Sequence, residues 1–174
     1  MKPLWRNKRT GLMKRKKTAA REMPALIIVD VQQAFPIPPK LVERIWRYSR
    51  RFQRRIFTQF VNPPGSLFRE KLGQHSCAPG SDDLRLLVAP EPGDMIIRKS
   101  GYGLKPHDIR RLRSAGVKRV VVCGLDTDAC VLGVMFSLFD AGIVCHAKED
   151  LCWSSTGLQQ AGLKIIRKQF PETR

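Results

Sequence analysis

The sequence has no apolar run long enough to cross a bilayer. Its longest apolar segment, residues 131–139, is far shorter than the roughly 20 residues that a membrane-spanning helix needs. The amino-terminal residues also lack the apolar core of a secretory signal. These absences lead us to expect an intracellular, cytoplasmic protein.

The sequence also lacks the cysteine patterns of disulfide frameworks and zinc knuckles. Its five cysteines are odd in number and include no C-x-x-C pair, which is typical of reduced thiols. His107 and His146 show no metal-ligand spacing, so we interpret both as structural. At least one thiol is therefore free for chemistry.

Acidic residues are scarce: 15 aspartates and glutamates accompany 32 lysines and arginines, which gives a formal net charge of +17. Such an excess is typical of proteins that bind nucleic acid or another anionic surface. Residues 1–23 contain nine basic side chains and one acidic side chain, and six arginines give a predicted helix a basic face. These are Arg44, Arg47, Arg50, Arg51, Arg54 and Arg55. Because no stacking platform or nucleic-acid motif accompanies them, we favour a solvated arm and a solvated helix face.

A length of 174 residues and a hydrophobic content of 43% suit one domain with a sizeable core. Residues 1–23 show many charges and no sustained hydrophobic period. We therefore predict a disordered basic arm over residues 1–23, followed by a single domain over residues 24–174.

Strand-like and helix-like segments alternate along this domain. Strands are predicted over residues 25–29, 55–61, 94–99, 118–123 and 143–147. Helices are predicted from about residue 40, from 105 or 106 to 115, after Cys130, and over residues 158–167. This order predicts an α/β fold, a three-layer α/β/α sandwich with a mostly parallel sheet of five or six strands.

Three polar side chains, Asp30, Lys99 and Cys130, lie at the carboxyl ends of separate predicted strands. Parallel strands end at one edge of the sheet, where open α/β folds bind ligands. A nearby ammonium lowers the pKa of a thiol, and a carboxylate can take the thiol proton and later deliver it to a leaving group. The trio would make Cys130 an ionised nucleophile, although each residue taken singly is more often structural.

Three sequence segments that contain these residues, taken together and in this order, are more specific evidence than the single residues. They are Asp30 with Val-Gln-Gln-Ala-Phe after it, a Pro-Gly-Asp strand ending in Lys-Ser-Gly-Tyr-Gly, and Gly-Leu-Asp-Thr-Asp-Ala-Cys-Val over residues 124–131. Together they resemble the isochorismatase-like cysteine hydrolase family, which includes nicotinamidases and related amidohydrolases, over about residues 25–168. The resemblance implies that family's Rossmann-like fold, with Cys130 as nucleophile, Asp30 as general acid and base, and Lys99 as the polarising cation.

The resemblance also implies a non-prolyl cis peptide between Leu125 and Asp126, with the N–H groups of Asp126 and Cys130 facing the substrate oxyanion. Relatives often form dimers or larger assemblies, so we expect a homo-oligomer. Three aromatic side chains are candidate walls for a small planar substrate. They are Phe35, Tyr102 and Trp153.

The segment after the second strand departs from the nicotinamidase pattern. Nicotinamidases carry a metal site built from an aspartate and two histidines there, whereas residues 58–63 are Thr-Gln-Phe-Val-Asn-Pro and His75 is distant along the chain. We therefore predict no catalytic metal and no other cofactor. The expected function is a metal-independent cysteine hydrolase that cleaves a C–N bond of a small amide through a Cys130 thioester.

Two other functions fit parts of the sequence. The chain could be a catalytically silent member of the fold that binds nucleic acid or another anionic partner through its basic arm and basic helix face. Vinyl-ether cleavage of the isochorismatase type is a third function, but the cysteine at position 130 favours the covalent route.

Overall fold

The computed structural model describes residues 23–171, which form a five-stranded sheet in which every pairing is parallel. The strands are β1 Ala25–Val29, β2 Arg55–Phe60, β3 Met95–Lys99, β4 Arg119–Leu125 and β5 Val144–Trp153. Their order across the sheet is β3-β2-β1-β4-β5. The chain thus runs from β1 to one edge of the sheet and then crosses to the other side of β1. This reversal puts a topological switch point between β1 and β4, where open α/β sheets bind ligands.

Helices cover both faces of the sheet. They are α1 Pro39–Ser49, α2 Leu67–Leu72, α3 Pro106–Ser114, α4 Leu132–Asp140 and α5 Gln159–Gln169. A short 3-10 helix, Asp82–Leu84, and a π-helical turn, Thr127–Val131, complete the described elements. Among the helices within residues 23–171, none combines the length and the apolar character needed to span a bilayer.

The buried strand β1 separates two hydrophobic clusters. Ile27 and Val29 belong to the cluster that includes apolar side chains of α3, α4 and α5. Leu26 and Ile28 point the other way and belong to the cluster that includes Leu41 of α1. Successive side chains of a strand alternate between faces, so an uninterrupted apolar run is what a strand buried on both faces requires. The predicted α/β/α architecture is confirmed.

The last strand is longer than the sequence predicted. Its pairing with β4 has a register irregularity between Val122 and Gly124, after which Gly124 pairs with Cys152 and Leu125 with Trp153. The charged residues 148–150 interrupt the apolar pattern there and gave the appearance of a strand end. Because β5 lies at the edge of the sheet, its polar side chains reach solvent without disturbing the core. The basic arm predicted over residues 1–23 lies, apart from Met23, outside the described residues.

Gly124 is required where β4 passes β1. Its φ is +120°, and a Cβ atom there would lie 2.7 Å from the backbone nitrogen of Val29 and still closer to its carbonyl oxygen. Substituting alanine should therefore force the two strands apart and lower the free energy of unfolding by about 3 kcal/mol. Urea unfolding measures this change.

Gly142→Ala is the matched control for Gly124→Ala. Gly142 has a φ of +69°, but a Cβ atom at this position would meet nothing within 4 Å. The control should cost only the backbone strain of about 1–2 kcal/mol. Equal losses in the two variants would contradict a steric role for Gly124.

Candidate active site

The side chains of Asp30, Lys99 and Cys130 meet at the carboxyl edge of the sheet. Lys99 Nζ lies 2.7 Å from Asp30 Oδ2 and donates to Cys130 Sγ at 3.1 Å. Its third contact is the carbonyl oxygen of Gly101 at 2.8 Å. The Lys99 and Asp30 side chains are 0% and 1% exposed, so the ion pair is shielded from water. An ammonium buried in this way interacts with both partners far more strongly than it would at the surface.

Thr58 of β2 holds the Asp30 carboxylate in position, and sequence analysis did not identify it. Its hydroxyl donates to Asp30 Oδ1 at 2.6 Å and accepts the backbone N–H of Asp30 at 3.1 Å. Asp30 Oδ2 has no hydrogen-bond partner besides the ammonium contact. Asp30 has a φ of +48°, a conformation that aspartate tolerates better than most residues. The available signal was a threonine directly after the apolar pair Ile56 and Phe57 in a predicted strand.

The electrostatics of the site favour a neutral thiol in the absence of substrate. Burial raises the pKa of Cys130 and so does the nearby Asp30 carboxylate, while Lys99 lowers it without reversing the net rise. Burial lowers the pKa of Lys99, but Asp30 and Cys130 raise it, and the net direction is upward. The resting site is therefore an Asp30–Lys99 ion pair beside a protonated thiol. The direction of this pKa shift is opposite to the one we expected from Lys99.

The turn that carries Cys130 is not α-helical. Cys130 lies in the π-helical turn Thr127–Val131, and α4 begins only at Leu132. The peptide bond between Leu125 and Asp126 is cis. Val131 N donates to the carbonyl oxygen of Asp126 at 3.0 Å. The chain therefore makes a wider turn before α4, with Cys130 facing the sheet edge.

Hydrogen bonds from the loop after β5 and from the start of α5 hold this turn in place. The Asp128 carboxylate accepts hydrogen bonds from the hydroxyls of Ser154 and Thr156, and Asp126 Oδ1 accepts the backbone N–H of Ser155 at 2.7 Å. Thr127 Oγ1 donates to Gln159 Oε1 at 2.8 Å. These bonds tie the turn to residues 154–159, which lie far from it along the chain.

A small cavity of about 170 Å³ opens onto Asp30 and Cys130. Phe35 and Tyr102 line it, as do Leu125 and Asp126. Trp153 does not line it, because its indole N–H donates to the carbonyl oxygen of Pro36 at 3.2 Å and its ring packs against the α1 side of the sheet. The remaining lining residues, which sequence analysis did not identify, are Phe60, Phe68, Leu72, Gln74, Ala129 and Thr156. The volume limits a bound ligand to a small molecule.

The residues after β2 do not fit a metal ion. The buried Asn62 amide donates to the carbonyl oxygens of Gln74 at 2.7 Å and Ser76 at 3.1 Å, and its oxygen accepts the hydroxyl of Ser66. His75 is exposed and does not line the cavity. No group of three or more histidine, cysteine, aspartate or glutamate side chains in the described part of the chain is arranged to hold a metal ion.

The six arginines predicted to form a basic helix face do not share one helix, because α1 ends at Ser49 and Arg55 begins β2, and their charge is partly neutralised. Arg44 pairs with Asp150 at 2.6 Å, and Arg47 pairs with Glu43 at 2.5 Å. Glu91 lies between Arg50 at 3.7 Å and Arg55 at 2.7 Å. Exposed pairs of this kind add little stability, but they reduce the positive potential that an anionic partner would meet.

Comparison with known proteins gives both a family match and structural neighbours. Residues 24–173 match the isochorismatase domain family. The chain superimposes on pyrazinamidase of Pyrococcus horikoshii, solved in complex with zinc, with a TM-score of 0.76 and 23% identity over 84% of this chain and 96% of that one. Comparison with curated protein sequences finds no significant match.

Two further solved structures share the fold. N-carbamoylsarcosine amidase of Thermoplasma acidophilum gives a TM-score of 0.71 with 21% identity, covering 83% of this chain and 92% of that one. Nicotinamidase/pyrazinamidase of Bacillus subtilis gives a TM-score of 0.72 with 16% identity, covering 85% of this chain and 97% of that one.

Proposed function

Because the chain belongs to the isochorismatase domain family of hydrolases, we propose that it is a cysteine hydrolase that cleaves a C–N bond of a small carboxamide. The single observation that carries this proposal is Lys99 Nζ, which contacts both Asp30 Oδ2 and Cys130 Sγ beside a cavity of small-molecule size. A structural cysteine in the core would need neither the buried ion pair nor the cavity.

In the first half of the proposed reaction, Cys130 Sγ attacks the carbonyl carbon of the amide. Asp30 takes the thiol proton, for which Oδ2 has an available lone pair. The Lys99 ammonium stabilises the sulfur as its negative charge develops. The tetrahedral adduct then collapses to a thioester, the C–N bond breaks, and Asp30 returns the proton to the departing nitrogen.

In the second half, water attacks the thioester with Asp30 as its general base. The C–S bond breaks, Cys130 leaves as a thiolate paired with Lys99, and the thiolate regains its proton from Asp30. The net reaction is amide plus water giving a carboxylic acid and an amine or ammonia. A neutral resting thiol suits this scheme, because proton transfer to Asp30 and carbon–sulfur bond formation can occur together.

We assign the negative oxygen of both tetrahedral adducts to the backbone N–H groups of Asp126 and Cys130. Both residues line the cavity, and Cys130 lies just before the amino-terminal end of α4. Backbone donors aimed at a developing oxyanion are worth roughly 3–4 kcal/mol each. They are part of the turn and need no reorganisation during the reaction.

The proposed function is tested by incubating the purified protein with small primary carboxamides and measuring released ammonia. Activity should persist after exhaustive treatment with a metal chelator, because the Asn62 amide is already satisfied by protein groups and offers no metal ligand. Absence of ammonia release from every amide would contradict the hydrolase. Loss of activity in the chelator, with recovery on adding zinc, would contradict metal independence.

A second test separates the roles of the charged pair. Asp30 raises the pKa of Cys130 and Lys99 lowers it. Asp30→Asn should therefore lower that pKa and speed alkylation of Cys130 by iodoacetamide at pH 7.5 several-fold, while abolishing hydrolysis. Lys99→Met should slow alkylation at the same pH. Mass spectrometry of the Cys130 peptide measures both rates.

In the native protein, the rate of Cys130 alkylation should still be rising at pH values where an ordinary thiol is already fully ionised. The reason is that the pKa of Cys130 is raised. Cys77, which is fully buried, provides an internal reference in the same digest. Slower alkylation of Asp30→Asn than of the native protein at pH 7.5 would contradict the assigned electrostatics.

A further inference from the structure

The cavity is lined by an aspartate, Asp126, whose carboxylate the proposed reaction does not use. Asp126 lines the cavity and is partly exposed, and its Oδ1 accepts the backbone N–H of Ser155 at 2.7 Å. The described residues that line the cavity include no lysine or arginine. Lys99 lies behind the lining and already contacts Asp30.

Two other carboxylates act electrostatically on Asp126. Burial raises the pKa of Asp126, the Ser155 bonds lower it, and the nearby Asp128 and Asp30 carboxylates raise it further. Asp128 itself accepts hydrogen bonds from the neutral hydroxyls of Ser154 and Thr156. The net direction of the pKa of Asp126 is upward, and a positively charged ligand group beside this carboxylate would stabilise its ionised form.

Part of the lining is aromatic. The rings of Phe60 and Phe68 lie 4.8 Å apart between centroids, and those of Phe68 and Tyr102 lie 4.9 Å apart. The Lys99 ammonium already lies 5.4 Å from the centroid of the Phe60 ring. Aromatic faces attract cations, so this wall tolerates an ammonium group that an aliphatic wall would not.

We propose that the substrate is a small carboxamide carrying an ammonium group, which the Asp126 carboxylate binds while the amide carbon faces Cys130. This inference rests on the proposed function and names the substrate class of the same site. The cavity of about 170 Å³ is only a few atoms wide, so a ligand that fills it reaches both residues. An amide carrying a carboxylate would meet Asp126 and should be excluded.

Three amides of nearly equal size test this preference: 3-aminopropanamide is cationic, butanamide is neutral, and malonamate is anionic. The native protein should hydrolyse 3-aminopropanamide with a kcat/KM at least about tenfold above that of butanamide, because a charge-assisted hydrogen bond replaces a methyl contact. Malonamate should be the poorest of the three.

Asp126→Asn keeps the shape of the side chain and its bond from Ser155 but removes its charge. The ratio of kcat/KM for 3-aminopropanamide over butanamide should then fall to near one, whatever happens to the absolute rate. Asp150→Asn is the control, because it removes an exposed carboxylate that does not line the cavity. In that variant the ratio should match the native value.

The same ratio should depend on pH. As the pH falls, Asp126 becomes protonated while the substrate ammonium stays charged, so the ratio should decrease in the native protein and stay flat in Asp126→Asn. Asp30 and Asp128 also lie near Asp126, so the comparison with Asp126→Asn, which keeps both carboxylates, isolates the contribution of Asp126.

Binding to Cys130→Ala, measured by calorimetry, separates failure of this inference from failure of the proposed function. Hydrolysis with a ratio near one in the native protein, or a ratio unchanged by Asp126→Asn, would overturn the substrate class and leave the hydrolase. If no amide is hydrolysed but Cys130→Ala binds 3-aminopropanamide more tightly than butanamide in an Asp126-dependent way, the cation site stands and the hydrolase does not. Equal binding without hydrolysis would overturn both.

Discussion

Replacing Cys130 with serine should lower kcat/KM for the best carboxamide substrate by at least about 10⁴-fold, a loss of about 5 kcal/mol of transition-state stabilisation. The physical reason is the much higher pKa of an alcohol: Asp30 can accept a proton from a thiol attacking carbon, but it is too weak a base for the hydroxyl. Steady-state release of ammonia measures the loss. Acidification of a native reaction within milliseconds should trap a Cys130 acyl adduct, visible by mass spectrometry, that the serine variant lacks.

Cys145→Ser is the matched control for Cys130→Ser. Cys145 is buried in β5, its Sγ lies 3.6 Å from the carbonyl oxygen of Met135, and it does not line the cavity. A serine there can make the same contact, so kcat/KM should change by less than about threefold. Comparable losses in the two variants would mean that activity depends on folding around cysteines in general rather than on one nucleophile.

Replacing Lys99 with methionine should lower the free energy of unfolding by about 3–5 kcal/mol and abolish turnover. Methionine fills much of the same space, but it leaves the Asp30 carboxylate buried without its cation, which is far more costly than losing an exposed pair. Urea unfolding followed by circular dichroism measures the stability change. Lys105→Met, at an exposed lysine, should change stability by no more than about 0.5 kcal/mol.

The double variant Lys99→Met/Asp30→Asn tests whether this loss comes from the unpaired charge. With both charges removed, no buried ion is left without a partner, so the double variant should recover most of the lost stability while remaining inactive. A double variant as unstable as the sum of its single variants would contradict a charge-based origin. Recovery of activity would contradict the assigned chemistry.

The fold could be predicted from the sequence because its determinants are local. The uninterrupted apolar run of β1 predicted a strand buried on both faces, and the alternation of strands with helices predicted a parallel sheet with helices on both sides. The ends of β1, β3 and β4 were equally local features, so Asp30, Lys99 and Cys130 could be assigned to one edge before any contact was known. The end of β5 could not be predicted, because charged residues such as those at 148–150 are as compatible with an edge strand as with a turn.

The sequence alone determined the element order and the three polar side chains at the sheet edge, because hydrophobic period and strand ends depend on neighbours along the chain. The tertiary structure alone decided what surrounds those side chains. The contact of Thr58 with Asp30 and the meeting of Phe68 and Asp126 in one cavity lining join segments that are distant along the chain. The upward shift of the Cys130 pKa also comes from the tertiary structure, because burial and the field of neighbouring charges depend on distances in space.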